Sequence, residues 1–161
     1  MAEDSRQVRG LLIPVQGGSL ALPDSIIVQI LTGSDIVSLD NAPGWLLGTT
    51  VWQKRVIPVL SFELASSHQY SPMENPRLLV MKSLDNIEKM PFYAFTIAGI
   101  PSPVRFSNEN MTAVENASAA SPVILNQVLV DGEPAIIPNA DALEEMLISQ
   151  YGLFVEETPA A

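Results

Sequence analysis

The chain has 161 residues, a length that fits one domain or two small subdomains sharing a core and that buries about 70% of the unfolded surface on folding. Apolar residues make up 47% and charged residues 16%, which is the balance of a packed globular chain and the opposite of a disordered one. With 18 acidic against 8 basic side chains the net charge is −10, so phosphate backbones and anionic lipid surfaces are repelled and neither nucleic acid nor direct membrane insertion is expected.

Polar residues 1–9 and the tail 156–161 (EETPAA) read as disordered ends, leaving a single domain over 10–155. The N-terminus MAEDSRQVRG lacks the apolar stretch of an export signal. The apolar runs LLIPV, IIVQIL and VILNQVLV fall well short of the roughly 20 residues that span a bilayer. A soluble, cytoplasmic protein is expected, and the absence of cysteine excludes disulfides and thiolate metal sites.

Short β-branched and apolar runs bounded by Gly, Pro, Asn and Asp then follow one another, which is the pattern of a small barrel or sandwich. The first set is Leu11–Val15, Leu20–Leu22, Ile26–Leu31, Leu46–Trp52 and Val56–Phe62, with Gly17 and Gly18 in the first hairpin turn. The segment 65–76 (ASSHQYSPMENP) is polar with two prolines and reads as the loop joining two subdomains. A second set follows: Arg77–Ser83, Phe92–Ala98, Val104–Phe106, Ile124–Val130 and Ala135–Ile137. Residues 110–121 show no clean period and read as mixed strand and loop.

One helix is expected over Asp141–Gln150, with Asp141 as cap, Glu144 completing a capping box and Gly152 as the stop. Leu143, Met146, Leu147 and Tyr151 lie at helical spacing. The expected core is Ile27, Ile30, Leu47, Val59, Leu79, Phe95, Ile97, Leu125, Leu129 and Leu147. A faint internal echo, Pro43 to Pro58 around QKR and Pro122 to Pro138 around DGE, suggests two related halves.

Catalytic chemistry finds little support in these residues. A Ser-His-Asp route needs a positioned histidine, and the lone His68 falls in the polar loop. Without cysteine, and with one histidine, a zinc site would have to be built from carboxylates. Gly17 and Gly18 lie between two strands and not before a helix, so they do not form a phosphate loop. Glu144-Glu145 and Glu156-Glu157 read as solvated pairs on a helix face and a tail. No catalytic residue, metal or cofactor is expected.

The unusual segment is GWLLGTTVWQKRVIPVLSFE at 44–63, with Trp45 and Trp52 around Gly48. Val56 to Leu60 is apolar on both faces, which places that strand at the centre of a sheet. The segment resembles the CheW-like family, whose hallmark is a strand opening at a glycine, a turn of the form Asn-x-Arg-Gly, and a Pro-Val strand followed by an acidic residue. Here these are Gly48, Val51-Trp52-Gln53-Lys54, Pro58-Val59 and Ser61. LPDSIIVQIL at 22–31 is similar to the family's Val-x-Glu strand, with Ile27 and Gln29 at its marked positions, and PGWLLG at 43–48 is similar to its proline-led approach. VLVDGEPAIIPNADALEEM resembles the closing strands and helix of the ChpC-like branch of chemosensory pili systems.

The resemblance implies an all-β (mainly β) protein of two SH3-like five-stranded barrels on a shared core, with a C-terminal helix and no active site. It implies an adaptor between the cytoplasmic tip of a chemoreceptor and the regulatory domain of a CheA-type histidine kinase. The chain departs from the family at the turn, where Gln53 cannot supply the arginine's five-donor fork. The expected partner-binding residues are Gly48, Trp52, Gln53, Lys54 and Arg55, with an exposed turn and a glycine that lets a partner's backbone come close. The rival readings are a small-ligand-binding barrel or enzyme with Trp45, Trp52 and Tyr93 lining a pocket, and a structural component of a pilus-related machine.

Overall fold

A computed structural model describes residues 7–33, 35–66, 71, 76–84, 88–114 and 121–156. β1 (Val8–Val15) and β2 (Gly18–Pro23) form a hairpin. A single 3-10 turn then leads into β3 (Ile27–Leu31). β4 (Leu46–Trp52) and β5 (Arg55–Leu60) form a second hairpin, followed by a one-turn helix α1 (Phe62–Ala65). Next come β6 (Arg77–Lys82), β7 (Phe92–Ile97), β8 (Ser102–Phe106) and a short β9 (Met111–Ala113). The hairpin of β10 (Ile124–Val130) and β11 (Glu133–Pro138) leads into α2 (Ala140–Glu156).

The strands assemble into a five-stranded sheet, β3-β6-β7-β5-β4, and a six-stranded sheet, β8-β1-β2-β11-β10-β9. The sixth strand is β9, from the stretch without a clean period. Membership does not follow the two consecutive sets read from the sequence: β1 and β2 leave β3–β5 and join the C-terminal strands. Two parallel contacts make this exchange, Leu20↔Ile136 between β2 and β11 and Val59↔Ala94 between β5 and β7. As expected from its two apolar faces, β5 is interior to its sheet.

The edge strands of each sheet are linked by side-chain hydrogen bonds or by a short turn. The edge strands β3 and β4 meet where Trp52 Nε1 donates to Gln29 Oε1 at 3.0 Å. The other two edges, β8 and β9, are consecutive in the chain, and the turn between them is fixed by Ser107 N donating to Asn110 Oδ1 at 2.9 Å and Asn110 Nδ2 to Arg105 O at 2.7 Å.

Three apolar clusters follow from the pleat. On β6, Leu78 and Val80 point into the five-stranded barrel beside Trp52, Ile57 and Val59, while Leu79 and Met81 point into a larger core between the barrels. Both faces of β6 are covered, which is why its sequence is apolar without alternation. The shared core adds Ile13, Leu20, Leu60 and Leu147, and Phe106, Val128 and Val130 fill the six-stranded barrel.

Several expectations need correction. Val59, Leu79, Phe95, Ile97 and Leu147 are buried and Ile27, Ile30, Leu47 and Leu129 are half-buried, but Leu125 is 58% exposed. A bulge between Ile124 and Asn126 sets the β10 register, and the inward face is Ile124, Val128 and Val130. Both alternating sets of ILNQVLV contain large apolar residues, so period alone could not choose the face. The first strand starts at Val8, inside the segment read as a tail. Phe62 belongs to α1, because Ser61 Oγ accepts from Leu64 N at 3.1 Å and caps a turn there.

Asn139, not Asp141, caps α2, its Oδ1 accepting from Ala142 N at 3.2 Å. The helix also runs through Gly152 to Glu156, an interior glycine costing only about 1 kcal/mol relative to alanine. Glu144 is not solvated: it is fully buried and accepts from Leu84 N at 2.8 Å. Glu145 is exposed, as expected.

Candidate partner-binding site

The β4–β5 hairpin pairs Val51↔Val56 and Trp52↔Arg55, leaving Gln53 and Lys54 as a two-residue loop. Their φ values are +49° and +63°, the mirror-image turn whose twist matches that of the strands it joins and which ordinarily selects Asn-Gly. The β10–β11 loop repeats the geometry with Asp131 at +50° and Gly132 at +82°. Lys54 therefore occupies the position at which the second hairpin has a glycine, the left-handed conformation costing a non-glycine residue about 1 kcal/mol or more.

Gln53, Lys54 and Arg55 are exposed, as the sequence suggested. The Arg55 guanidinium lies 5.4 Å from the centroid of the Phe92 ring, within cation–π range. Trp52 is not on this surface. It is 6% exposed, packs edge-on to Phe92 at 4.9 Å between ring centroids, and holds Gln29 through its indole N–H. Its part is to support the hairpin from inside the barrel.

Gly48 is buried, and the backbone that comes close to it is the chain's own. Val37 N donates to Thr49 O and Thr49 N to Val37 O, each at 2.8 Å, and Thr50 Oγ1 donates to Asp35 O at 2.8 Å. These bonds strap residues 35–38 across β4. A Cβ on Gly48 would stand 2.1 Å from Val37 O, and its φ of +150° is one that L side chains rarely adopt.

The surface missed by sequence reading is the outer face of the hairpin. Val37, Val51 and Val56 are 63%, 68% and 60% exposed. Val51 and Val56 are directly paired, and Val37 is bridged to Thr49 on the same face. Together with Asp35 and Thr49 they line a shallow groove. The available signal was phase: in LLGTTVW the inward positions are Leu46, Gly48, Thr50 and Trp52, which leaves Val51 pointing out.

The three aromatic residues that could have lined a ligand pocket do not meet. Trp52 lies in the five-stranded barrel, whereas Tyr93 is buried in the shared core and Trp45 packs against it. Burial raises the Tyr93 phenol above its ordinary pKa, and the Glu144 and Asp141 carboxylates push it further the same way. A second buried carboxylate, Glu63, accepts from Gln16 N at 2.8 Å and Ser61 Oγ at 3.1 Å, tying α1 to the β1–β2 turn. His68 lies outside the described residues. Among the described residues, no helix is long and apolar enough to cross a membrane.

The two sheets share a core and carry an exposed apolar hairpin face beside a basic turn whose residues have positive φ. A family profile described as CheW-like domain matches residues 9–146, and the chain belongs to that family. The scaffolding protein TtCheW from Thermoanaerobacter tengcongensis has a similar crystal structure, with a TM-score of 0.69 at 9% identity over 83% of this chain and 89% of that one. No curated protein matches the sequence.

Proposed function

We propose that this chain is a non-catalytic adaptor that couples a chemoreceptor to a CheA-type histidine kinase, with the outer face of the β4–β5 hairpin as a docking edge. The single functional unit, read from the sequence as 10–155 and extended by β1 and α2 to 8–156, acts in the cytoplasm. The reading is carried by the directly paired and exposed Val51 and Val56, on the hairpin that bears the family's marked positions. Apolar side chains at the centre of a contact with a charged rim are the usual anatomy of such interfaces, and Lys54 and Arg55 supply the rim. Coupling then needs no chemistry: kinase output follows the geometry in which receptor and kinase are held. The closing segment VLVDGEPAIIPNADALEEM favours a chemosensory pili pathway, with twitching motility as its output.

The test is calorimetric titration of the full chain against the purified regulatory domain of a CheA-type kinase and against a receptor tip. Val51→Asp puts a charge at the centre of the patch and should weaken binding to one of the two by about 30-fold, within the range for a central interface residue, with circular dichroism unchanged. A folded Val51→Asp chain that binds both partners as tightly as wild type would falsify the assignment of this face.

A further inference from the structure

Arg9 on β1 stands directly opposite Arg105 on β8. Directly paired residues project from the same face of a sheet, and like charges so placed are destabilising. In a chain with only 8 basic side chains and a net charge of −10, placing two of them in one cross-strand pair is the reverse of what surface stability favours. Both arginines are exposed. Among the described residues, the one side-chain polar contact of the two arginines is Arg105 Nη1 to Gln7 Oε1 at 3.4 Å, beyond the usual hydrogen-bond range. Among the described residues, no carboxylate lies within ion-pair distance of either guanidinium.

The pair borders a groove of about 440 Å³ whose lining also includes Leu11, Asp24, Pro103 and Val104, so that two guanidinium groups stand against one carboxylate there. Leu11 and Pro103 are themselves paired, two positions along the same strands, so they share the arginines' face. The site thus presents two planar donor forks next to an apolar floor. Such forks match carboxylates bidentately. A polyphosphate or nucleic acid is disfavoured, because two arginines do not offset the repulsion from the rest of an acidic surface, and the apolar floor gives a bare anion nothing to bury.

We propose that Arg9 and Arg105 form a second docking point, separate from the hairpin, that takes a carboxylate-bearing segment of a partner protein in which acidic residues flank an apolar one. The inference rests on the adaptor reading only in taking the ligand to be a protein. The arginines lie on the six-stranded barrel and the valines on the five-stranded one, so each barrel would present its own partner face.

Two measurements on the full chain test this. The first is a double-mutant thermal cycle with Arg9→Gln, Arg105→Gln and both together. Either single change should raise the unfolding temperature, and the second should add less than the first, because the repulsion is already gone. If either single change lowers it, the pair is satisfied within the chain and the proposal fails. The second is titration of isotope-labelled chain with a capped Ala-Glu-Leu-Glu-Ala peptide, its Gln-Leu-Gln counterpart and inorganic phosphate. The acidic peptide should shift the Arg9, Leu11, Val104 and Arg105 amides, weaken with added salt, and bind at least tenfold less tightly to the doubly substituted chain. Equal shifts from the Gln peptide or from phosphate, shifts that survive the double substitution, or no localised shift would each overturn the proposal. Val51→Asp should leave this titration unchanged, so failure of the hairpin assignment and failure of this one are read in different variants.

Discussion

Gly48→Ala is a substitution for which the structure gives a specific penalty. The added Cβ would lie 2.1 Å from Val37 O, 2.7 Å from Val37 C and 2.9 Å from Ser38 Cα, all of them backbone atoms that cannot rotate away. The strap must therefore lift, breaking the two Val37–Thr49 backbone hydrogen bonds and the bond from Thr50 Oγ1 to Asp35 O. At about 1 kcal/mol net per bond the loss is about 3 kcal/mol, and the positive φ of an alanine adds about 1 kcal/mol. The ceiling is the docking energy of the strap itself, because local detachment relieves the clash without global unfolding. Ile36 and Leu39 pack against two different cores, so that ceiling is not low.

For a chain of this length, about 4 kcal/mol corresponds to a fall in Tm on the order of 10 °C. Urea denaturation measures the global effect, and hydrogen exchange at the Val37 and Thr49 amides measures strap release. An unchanged midpoint with both amides still protected would show that β4 carries a Cβ at this position without strain, and that the close approach does not constrain Gly48.

Lys54→Gly should raise stability by about 0.5 kcal/mol, the relief of left-handed strain exceeding the extra chain entropy of glycine; a lowered denaturation midpoint would show that the turn is relaxed as it stands. Leu147→Ala, in the shared core, should cost about 2 to 5 kcal/mol, whereas Leu125→Ala on the exposed side of the bulge should stay within about 0.5 kcal/mol; comparable losses in the two urea curves would contradict the β10 register. The folded pKa of Tyr93 is raised, so its contribution is complete below the unfolded value of about 10 and is lost as pH rises beyond it. Alkaline difference spectroscopy should therefore show this phenol ionising only as the chain unfolds, and Tyr93→Phe should remove that component.

Local pattern carried much of the architecture. LLGTTVW and ILNQVLV became strands with the expected bounds, and the weak echo around QKR and DGE is realised as two hairpins with the same mirror-image turn. Neither Gln-Lys nor a lysine at a left-handed position announces such a turn, so its strain was invisible until the backbone was seen. The candidate site was legible as a segment and not as a surface. Trp52, the most conspicuous side chain of the hairpin, is interior, and the plain Val51 and Val56 are the exposed ones.

What the sequence determined by itself is what depends on neighbours along the chain: the mainly β class, most strand positions, the single long helix and the family resemblance around Gly48 and Pro58. Tertiary structure alone decided which strands share a barrel, that Val37 is the backbone pressed on Gly48, that Glu63 and Glu144 are buried acceptors for distant N–H groups, and that Arg9 faces Arg105. The physical reason is that side-chain alternation reports which face of a strand is covered but not by what. A pairing such as Leu20 with Ile136 is selected by the packing of the whole core, to which every strand contributes and no local window gives access.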